Sequence, residues 1–213
     1  MLQCSIAPRQ MSRLEVCLHQ PRRPSQRAVV SAPLTDGATF SLNLDIDTAL
    51  AELHATNATY TESAMSFMTP PNPHDMSAVR SRGGKILVYH GVADPIFSVS
   101  DTVAWVKGVE RHTSAGTSDF VRLYRVPGMG HCSGGPATDQ ADFLTPLIAW
   151  VEQGRAPSSI VATARGPDNA GGVNNEVPAS WAPNRTRPLC PYPTVAVYGG
   201  SGDIERAQNW SCR

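Results

Sequence analysis

The sequence lacks an excess of charge of either sign and lacks any long apolar run. Its 213 residues include 18 lysines and arginines against 18 aspartates and glutamates, and charged residues make up 17% of the total. These charges are interspersed, so no basic face predicts binding to nucleic acid or to an anionic membrane. No apolar segment approaches the roughly 20 residues that cross a bilayer. We therefore expect neither nucleic acid nor membrane as a partner.

The first 36 residues lack a hydrophobic period. Prolines interrupt this segment at Pro8, Pro21, Pro24 and Pro33. We predict residues 1–36 to be a poorly ordered N-terminal segment. Residues 1–10 also lack the continuous apolar core of a signal peptide. Two explanations stay open: a cytoplasmic protein, or a chain that is missing its true beginning.

The five cysteines contain no Cys-x-x-Cys pair, which argues against a zinc ribbon. His131, Cys132 and Cys190 also have poor spacing for a zinc site, so we expect no metal. Cys190 and Cys212 lie in a C-terminal tail rich in proline, glycine and polar residues, which burial alone does not hold in place. A disulfide that closes a loop of roughly 20 residues would stabilise this tail by about 3 kcal/mol. We favour that disulfide, and with it an oxidising compartment.

Regular structure is only weakly indicated before residue 85. Polar and apolar residues alternate over 39–44, which suggests a short half-buried strand or extended segment. A modest helix is expected over 48–55. Asp75 is suited to cap a further short helix, Met76–Arg82, which Gly83 and Gly84 would end.

From residue 85 onwards, strands alternate with helices. Ile86–Tyr89 is a continuous apolar run, typical of a strand covered on both faces, and Ser98 is placed to cap the helix that follows. A second strand is predicted over Phe120–Val126, near the sheet edge because two arginines interrupt it. A last helix should end at Gly154, after which the chain is mostly loop. This order is typical of an α/β fold with a parallel sheet.

Two side chains capable of acid–base chemistry follow successive strands. Asp94 comes just after the first strong strand and His131 just after the second, and parallel strands end at one edge of their sheet. A carboxylate beside an imidazole fixes the tautomer of the ring and stabilises the imidazolium, as a general base requires. The simpler alternative is that Asp94 opens a turn and His131 is a surface residue. The placement of both at strand ends, in the order Asp then His, favours a catalytic pair.

Five ordered blocks of the sequence carry a more specific pattern. They are Lys85–Pro95, Val126–Pro136, Thr186–Pro193, Tyr198–Asp203 and Asn209–Cys212. The blocks resemble the tannase and feruloyl esterase family, and the similarity extends over residues 37–213. The resemblance implies an α/β-hydrolase fold and hydrolysis of small aromatic esters: galloyl esters, feruloyl esters or terephthalate monoesters. It also implies a serine esterase with a Ser-His-Asp acyl-enzyme mechanism and no cofactor, secreted or periplasmic in location.

The resemblance also assigns roles to individual residues. Asp94 would be the acid of a catalytic triad and His131 its general base. Cys132 would be the cysteine that, in the family, is bonded to the cysteine directly before the nucleophilic serine. The pairing of Cys190 with Cys212 agrees with the family pattern. The family's calcium site lies in a lid domain that this sequence does not contain, so the resemblance implies no metal site here.

The sequence departs from the family at the nucleophile. The family's elbow, Cys-Ser-x-Gly-Gly, is not present, and neither is the lid domain that follows it. Cys4 and Ser5 place a cysteine before a serine, and Cys4 is a conceivable partner for Cys132. No glycines follow Ser5, however, to permit the strained turn of a nucleophile elbow.

The other serines fit the nucleophile's role no better. Ser133 follows His131 too closely to reach the imidazole in a productive pose, and Ser63 and Ser66 have no adjacent glycines. We therefore expect residues 37–213 to form the C-terminal portion of an α/β-hydrolase domain. That portion comprises the last strands and helices of the sheet and a loop-rich, disulfide-tied tail.

Two classes of function follow from these observations. The first is a carboxylic ester hydrolase that acts on aromatic esters through Asp94 and His131. The second is a catalytically inactive, truncated fragment that acts at most as a binding or interaction module. An incomplete sheet would expose an apolar edge and face, so we also expect possible self-association.

Overall fold

A computed structural model describes residues 37–213. The predicted poorly ordered segment 1–36, together with Cys4 and Ser5, lies outside the described residues. The chain separates into two compact units, Met1–Pro73 and His74–Arg213, and each is described by itself.

The described part of the first unit consists of three short helices. They are α1 (Gly37–Asn43), α2 (Ile46–Leu53) and α3 (Ala64–Met68). The Asp45 side chain caps α2 by accepting hydrogen bonds from the backbone N–H groups of Asp47 and Thr48, and this helix agrees with the one predicted over 48–55. Ser63 caps α3 through its hydroxyl oxygen, which accepts from the N–H of Ser66.

The predicted strand over residues 39–44 is wrong, because α1 occupies this segment. Alternation stabilises a strand only where one face packs on a core, and Leu42 is 87% exposed. A helix satisfies its backbone groups within the segment and needs no partner strand. The Asn43 side chain adds a local bond by donating to the carbonyl oxygen of Thr39.

The second unit is built on two parallel strands, β1 (Ile86–Gly91) and β2 (Val121–Val126). All six residues of each strand are paired in register. Helix α4 (Ser77–Ser81) precedes β1, and helix α5 (Val99–Thr113) crosses from β1 to β2. This order confirms the predicted strand–helix–strand arrangement. The capping role of Ser98 is also confirmed, because its hydroxyl accepts from the N–H of Ser100.

The two strands differ in how well they are covered. In β2, Leu123 and Tyr124 are buried. In β1, by contrast, Tyr89 is 47% exposed and stacks on Phe143 at 4.2 Å between ring centroids. Within residues 37–213, β1 pairs with β2 alone. Full cover on both faces, predicted for β1, is therefore wrong for the described part of the chain.

The two arginines in β2, Arg122 and Arg125, are only partly buried. The Arg122 guanidinium lies 5.3 Å from the ring centre of Trp150 and donates to the carbonyl oxygen of Pro157. Arg125 lies 5.0 Å from the ring centre of Tyr192. Stacking on aromatic rings lets both arginines sit in a strand whose other residues are buried.

The remaining part of the second unit carries one α-helix, one short 3₁₀ helix (Ala207–Asn209) and five short strands. The α-helix is α6 (Leu144–Gln153), which ends at Gly154 as predicted. One sheet contains β3 (Gln140–Ala141), β4 (Ile160–Thr163) and β5 (Thr186–Leu189), and a separate hairpin pairs β6 (Ala196–Tyr198) with β7 (Trp210–Cys212). The expectation that the chain after Gly154 is mostly loop is confirmed, because β4 to β7 take up only 14 of its 59 residues, but the strands themselves were not predicted. These strands have two to four residues each, too few to show a period of two.

The disulfide between Cys190 and Cys212 is present, as predicted. It joins the residue after β5 to the last residue of β7, with 5.5 Å between the Cα atoms and a sequence separation of 22. Leu189, next to it, belongs to the buried cluster that also contains Tyr124 and Val126. The bond therefore ties the end of the chain to the core beneath β2.

No helix in the part of the chain that the structure describes is long and apolar enough to cross a membrane.

Candidate active site

The loops that follow β1 and β2 lie against each other at the same edge of the sheet. The N–H of Ala93 donates to the carbonyl oxygen of Met129 at 3.0 Å, which joins the two loops through their backbones. Gly91 permits this approach, because a Cβ atom there would lie 2.3 Å from the carbonyl oxygen of Gly130. A side chain at position 91 would force the loops apart.

The loop contact brings Asp94 and His131 together. Nδ1 of His131 lies 2.8 Å from Oδ2 of Asp94. The Asp94 side chain is only 5% exposed, whereas that of His131 is 24% exposed. The two side chains predicted from strand ends therefore form one hydrogen-bonded pair, and their catalytic roles stay a prediction.

The Asp94 carboxylate is held in its ionised form. Burial raises the pKa of Asp94, but hydrogen bonds from His131 and from the N–H groups of Ile96 and Phe97 outweigh it, so the pKa lies below its usual range. Oδ1 accepts these backbone bonds, at 2.8 Å from Ile96 and 3.1 Å from Phe97. Because an ionised carboxylate can only accept, Nδ1 of His131 carries a proton and Nε2 of the neutral ring keeps its lone pair.

The loop that carries His131 is anchored by carboxylates from elsewhere in the unit. The N–H of Gly134 donates to Oδ2 of Asp139 at 2.8 Å, and the N–H of Gly135 donates to Oε2 of Glu176 at 2.7 Å. The Asp139 side chain is fully buried and is paired with Arg165 at 2.7 Å. Both glycines have positive φ angles, of 76° and 74°, which let the backbone form the tight turn that follows His131.

Sequence reasoning missed these anchors. Asp139, Arg165 and Glu176 belong to no motif, and Glu176 lies 41 residues from the glycine whose N–H it accepts. The four glycines at positions 128, 130, 134 and 135 are the one local signal that this loop has an unusual backbone.

His131 and Asp94 line an open cleft of about 640 Å³. Its walls include the aromatic side chains of Tyr89, Phe97 and Trp105. The Phe97 ring, 53% exposed, lies tilted at 5.5 Å from the imidazole of His131. The cleft thus places apolar aromatic surface directly beside the acid–base pair.

A second cleft, of about 370 Å³, contains neither member of the pair. Gly128 and Pro136, which flank the histidine-bearing turn, form part of its wall together with Trp181 and Arg185. The Arg185 guanidinium is bound to Glu205. We assign the candidate active site to the first cleft because it holds Asp94 and His131.

The only hydrogen bond of the His131 ring that residues 37–213 provide is the one to Asp94. Ser133 is exposed in the same turn. Ser98 lines the cleft, which sequence reasoning did not foresee, but its hydroxyl oxygen caps α5. No serine among the described residues therefore contacts Nε2.

Three further predictions concern the surroundings of the pair. Ser5 and Cys4, the cysteine considered as the partner of Cys132, lie outside the described residues. Among residues 37–213, no three side chains of histidine, cysteine, aspartate or glutamate are grouped to hold a metal ion. The absence of a cofactor stays a prediction.

The fold and the site together define a class of protein. A parallel strand pair that presents an aspartate and then a histidine from successive strand ends matches the acid and base positions of α/β-hydrolases. The family model described as tannase and feruloyl esterase matches residues 22–213. The chain belongs to the tannase and feruloyl esterase family.

Individual relatives agree with this membership. The chain is 43% identical over 182 residues to the mono(2-hydroxyethyl) terephthalate hydrolase of Piscinibacter sakaiensis, covering 84% of the chain and 28% of that protein. It is 34% identical over 199 residues to an uncharacterized esterase of Xanthomonas campestris, covering 80% of the chain and 32% of the relative. The chain thus spans about a third or less of the length of these relatives.

Solved structures show the same fold. An esterase from Aspergillus oryzae aligns with 89% of the chain at a TM-score of 0.61 and 24% identity, and 36% of that esterase is covered. Feruloyl esterase B from Aspergillus oryzae aligns with 66% of the chain at a TM-score of 0.51 and 26% identity, and 29% of its chain is covered.

Proposed function

We propose that this chain supplies the acid and base of a carboxylic ester hydrolase that acts on aromatic esters by a Ser-His-Asp mechanism. The observation that carries the proposal is the 2.8 Å bond between Nδ1 of His131 and the buried carboxylate of Asp94, in a cleft beside exposed aromatic rings. Membership of the tannase and feruloyl esterase family supports the reaction class.

In the proposed mechanism, His131 moves one proton in each half-reaction. Its Nε2 takes the proton of a serine hydroxyl as the serine oxygen attacks the ester carbonyl, and then gives it to the departing alcohol. An acyl-enzyme remains. Nε2 next takes a proton from water, the hydroxide oxygen attacks the acyl carbonyl, and the serine leaves with that proton. Asp94 stabilises the imidazolium in both steps and stays ionised throughout.

The aromatic nature of the substrate is supported by the cleft and by the relatives. Tyr89 and Phe97 expose 47% and 53% of their surface beside the pair. Ring surfaces of this kind stack on the acyl part of an aromatic ester. The relatives include a feruloyl esterase B from Aspergillus niger and a terephthalate monoester hydrolase, and both names denote aromatic acyl groups.

The test uses the purified 213-residue chain with a chromogenic aromatic ester and a serine-directed phosphonate. Turnover that His131→Ala abolishes, together with phosphonate label on a serine of this chain, would show that the chain is an esterase on its own. The matched control is His112→Ala, because His112 is half-exposed and pairs with Asp75 outside the cleft. If the wild-type chain shows neither turnover nor label, it does not act as an esterase on its own.

The second candidate function is a binding or interaction module without catalysis. It is favoured by the observation that no serine in residues 37–213 contacts His131. An aromatic ester that binds to the wild-type chain without being hydrolysed, and without phosphonate labelling, would support this alternative.

We also propose that the protein works without a cofactor and outside the reducing cytoplasm. The Cys190–Cys212 disulfide supports the location, because such bonds persist in oxidising compartments. Where turnover is observed, dialysis against a chelator should leave its rate unchanged. A rate restored by added calcium would contradict the absence of a metal requirement.

A further inference from the structure

His90 is a partly buried histidine that the mechanism above does not use. It is the fifth residue of β1, four residues before Asp94, and its side chain is 13% exposed. Its two ring nitrogens contact two different elements. Nδ1 lies 2.7 Å from Oγ1 of Thr102 on α5, and Nε2 lies 3.1 Å from the carbonyl oxygen of Phe97 and 3.5 Å from Oδ2 of Asp94.

These contacts determine which nitrogen of the neutral His90 ring carries the hydrogen. The Phe97 carbonyl oxygen can only accept, so Nε2 must carry the hydrogen. Nδ1 then has a lone pair, and the Thr102 hydroxyl donates to it. In this arrangement both ring nitrogens have a suitable hydrogen-bond partner. The N–H on Nε2 also lies 3.5 Å from Oδ2 of Asp94, and its partial positive charge is attracted to that carboxylate.

Phe97 connects His90 to the acid of the site. The N–H of Phe97 donates to Oδ1 of Asp94, while its carbonyl oxygen accepts from His90. The bond from His90 therefore restrains the backbone of Phe97, and with it the turn whose N–H groups bind the Asp94 carboxylate. The other oxygen of the same carboxylate bonds to His131. Movement of the turn would change the distance between the acid and the base.

We propose that His90, as its Nε2–H tautomer, is a positioning residue that fixes the Asp94–Phe97 turn and so keeps the Asp94 carboxylate on Nδ1 of His131. Thr102 supports it by holding the opposite side of the ring. The inference rests on the proposed function for its catalytic meaning, but the positioning itself is a property of the folded chain. His90 also lines the cleft that holds Asp94 and His131, but the proposed effect acts through Asp94.

The experiment uses the full ¹⁵N-labelled chain and two readouts that need no turnover. The first is the tautomer of His90, read from the ¹⁵N shifts of its ring nitrogens at neutral pH. The second is amide hydrogen exchange of Ile96 and Phe97, whose N–H groups bind Asp94. The amides of Ile86 and Tyr192, which bond to backbone carbonyls elsewhere in the unit, report on global stability.

Four variants separate positioning from general destabilisation. His90→Phe keeps a planar ring and removes both nitrogens, and His90→Gln retains an amide that can donate to the Phe97 carbonyl. Thr102→Val removes only the supporting hydroxyl. His112→Phe is the matched control, because His112 pairs with Asp75 outside the cleft.

We expect the Nε2–H tautomer in the wild-type chain. Loss of one hydrogen bond should raise amide exchange of Ile96 and Phe97 by about tenfold in His90→Phe, with Ile86 and Tyr192 unchanged. His90→Gln should restore most of the protection, and Thr102→Val should lose part of it. Where turnover is measurable, His90→Phe should lower kcat and leave KM nearly unchanged.

Several results would overturn the proposal. An Nδ1–H tautomer of His90 contradicts it, and so does unchanged exchange of Phe97 in His90→Phe. Faster exchange of Ile86 and Tyr192 would show that His90→Phe unfolds the chain. In that case Thr102→Val is the deciding variant. If its Ile96 and Phe97 amides are as protected as in the wild type, the proposal is refuted. Absence of turnover would count against the proposed function alone, because neither NMR readout depends on it.

Discussion

At the scale of single residues, the proposed mechanism depends on the charge of Asp94. Asp94→Asn keeps the size of the side chain and removes the charge that stabilises the imidazolium and selects the Nδ1–H tautomer. We expect kcat for an aromatic ester to fall by about 10³- to 10⁴-fold. Steady-state kinetics of the variant measure this, and a decrease of less than tenfold would show that Asp94 is not the acid of the triad.

Glu205 gives a residue-scale prediction for pH. Its hydrogen bond from Arg185 lowers the pKa of the Glu205 carboxyl below its usual value, so folding favours the ionised form. Its stabilising contribution is complete above the pKa of the unfolded chain, about 4.5, and is lost as the pH falls through the lower pKa of the folded chain.

Urea unfolding of the wild type and of Glu205→Gln between pH 7 and pH 2.5 tests this prediction. The wild type should be the more stable at neutral pH, and the difference in unfolding free energy should shrink below about pH 4.5. A difference that stays constant over the whole range would contradict the proposed link between the Arg185–Glu205 pair and stability.

At the scale of elements, the parts predicted correctly are those with a long or chemically distinct pattern. The apolar run that became β1 and the serine cap of α5 both depend on near neighbours in sequence. The strand expected over 39–44 failed, because alternation says nothing about whether a partner strand exists. The strands β3 to β7 escaped prediction, because two to four residues are too short for any period to appear.

The candidate site shows the same division between local and distant contacts. Asp94 and His131 could be predicted because the ends of parallel strands meet at one edge of a sheet. The ring contacts of His90 and the anchors of the histidine loop could not. Arg165 reaches Asp139 across 26 residues of sequence, and no local pattern encodes such a pairing.

The buried pair of Asp139 and Arg165 yields an element-scale prediction. Arg165→Met leaves the fully buried Asp139 carboxylate without its cation, which should lower the unfolding free energy by about 3 kcal/mol. Chemical denaturation measures this loss. The matched control is Arg206→Met, because Arg206 pairs with Asp203 at 3.6 Å on the surface and should contribute less than about 1 kcal/mol. Equal effects in the two variants would contradict an anchoring role for Asp139.

At the scale of the whole molecule, an apolar surface continues from the sheet onto α6. Tyr89 is 47% exposed and stacks on Phe143, which directly precedes α6. On one face of that helix, Leu144, Ile148 and Val151 are 61%, 44% and 53% exposed. Exposed apolar surface of this kind favours association, so we propose that the chain self-associates through it.

Sedimentation equilibrium of the full chain tests this proposal. The weight-average mass should rise above 22.8 kDa with concentration, and Ile148→Lys should shift it towards the monomer. Val161→Lys provides the control, because Val161 is similarly exposed, at 55%, but belongs to β4 and not to α6. A mass of one chain at every concentration, or equal shifts in the two variants, would contradict association through α6.

The general-base assignment requires that Nε2 of His131 be unprotonated in the neutral ring. Long-range ¹H–¹⁵N NMR of the full chain at neutral pH measures this directly, because it distinguishes the two ring nitrogens. We expect the Nδ1–H tautomer of His131 in the wild type and its loss in Asp94→Ala, with His112 unchanged in both proteins. An Nε2–H tautomer of His131 in the wild type would show that Asp94 does not orient it as a base.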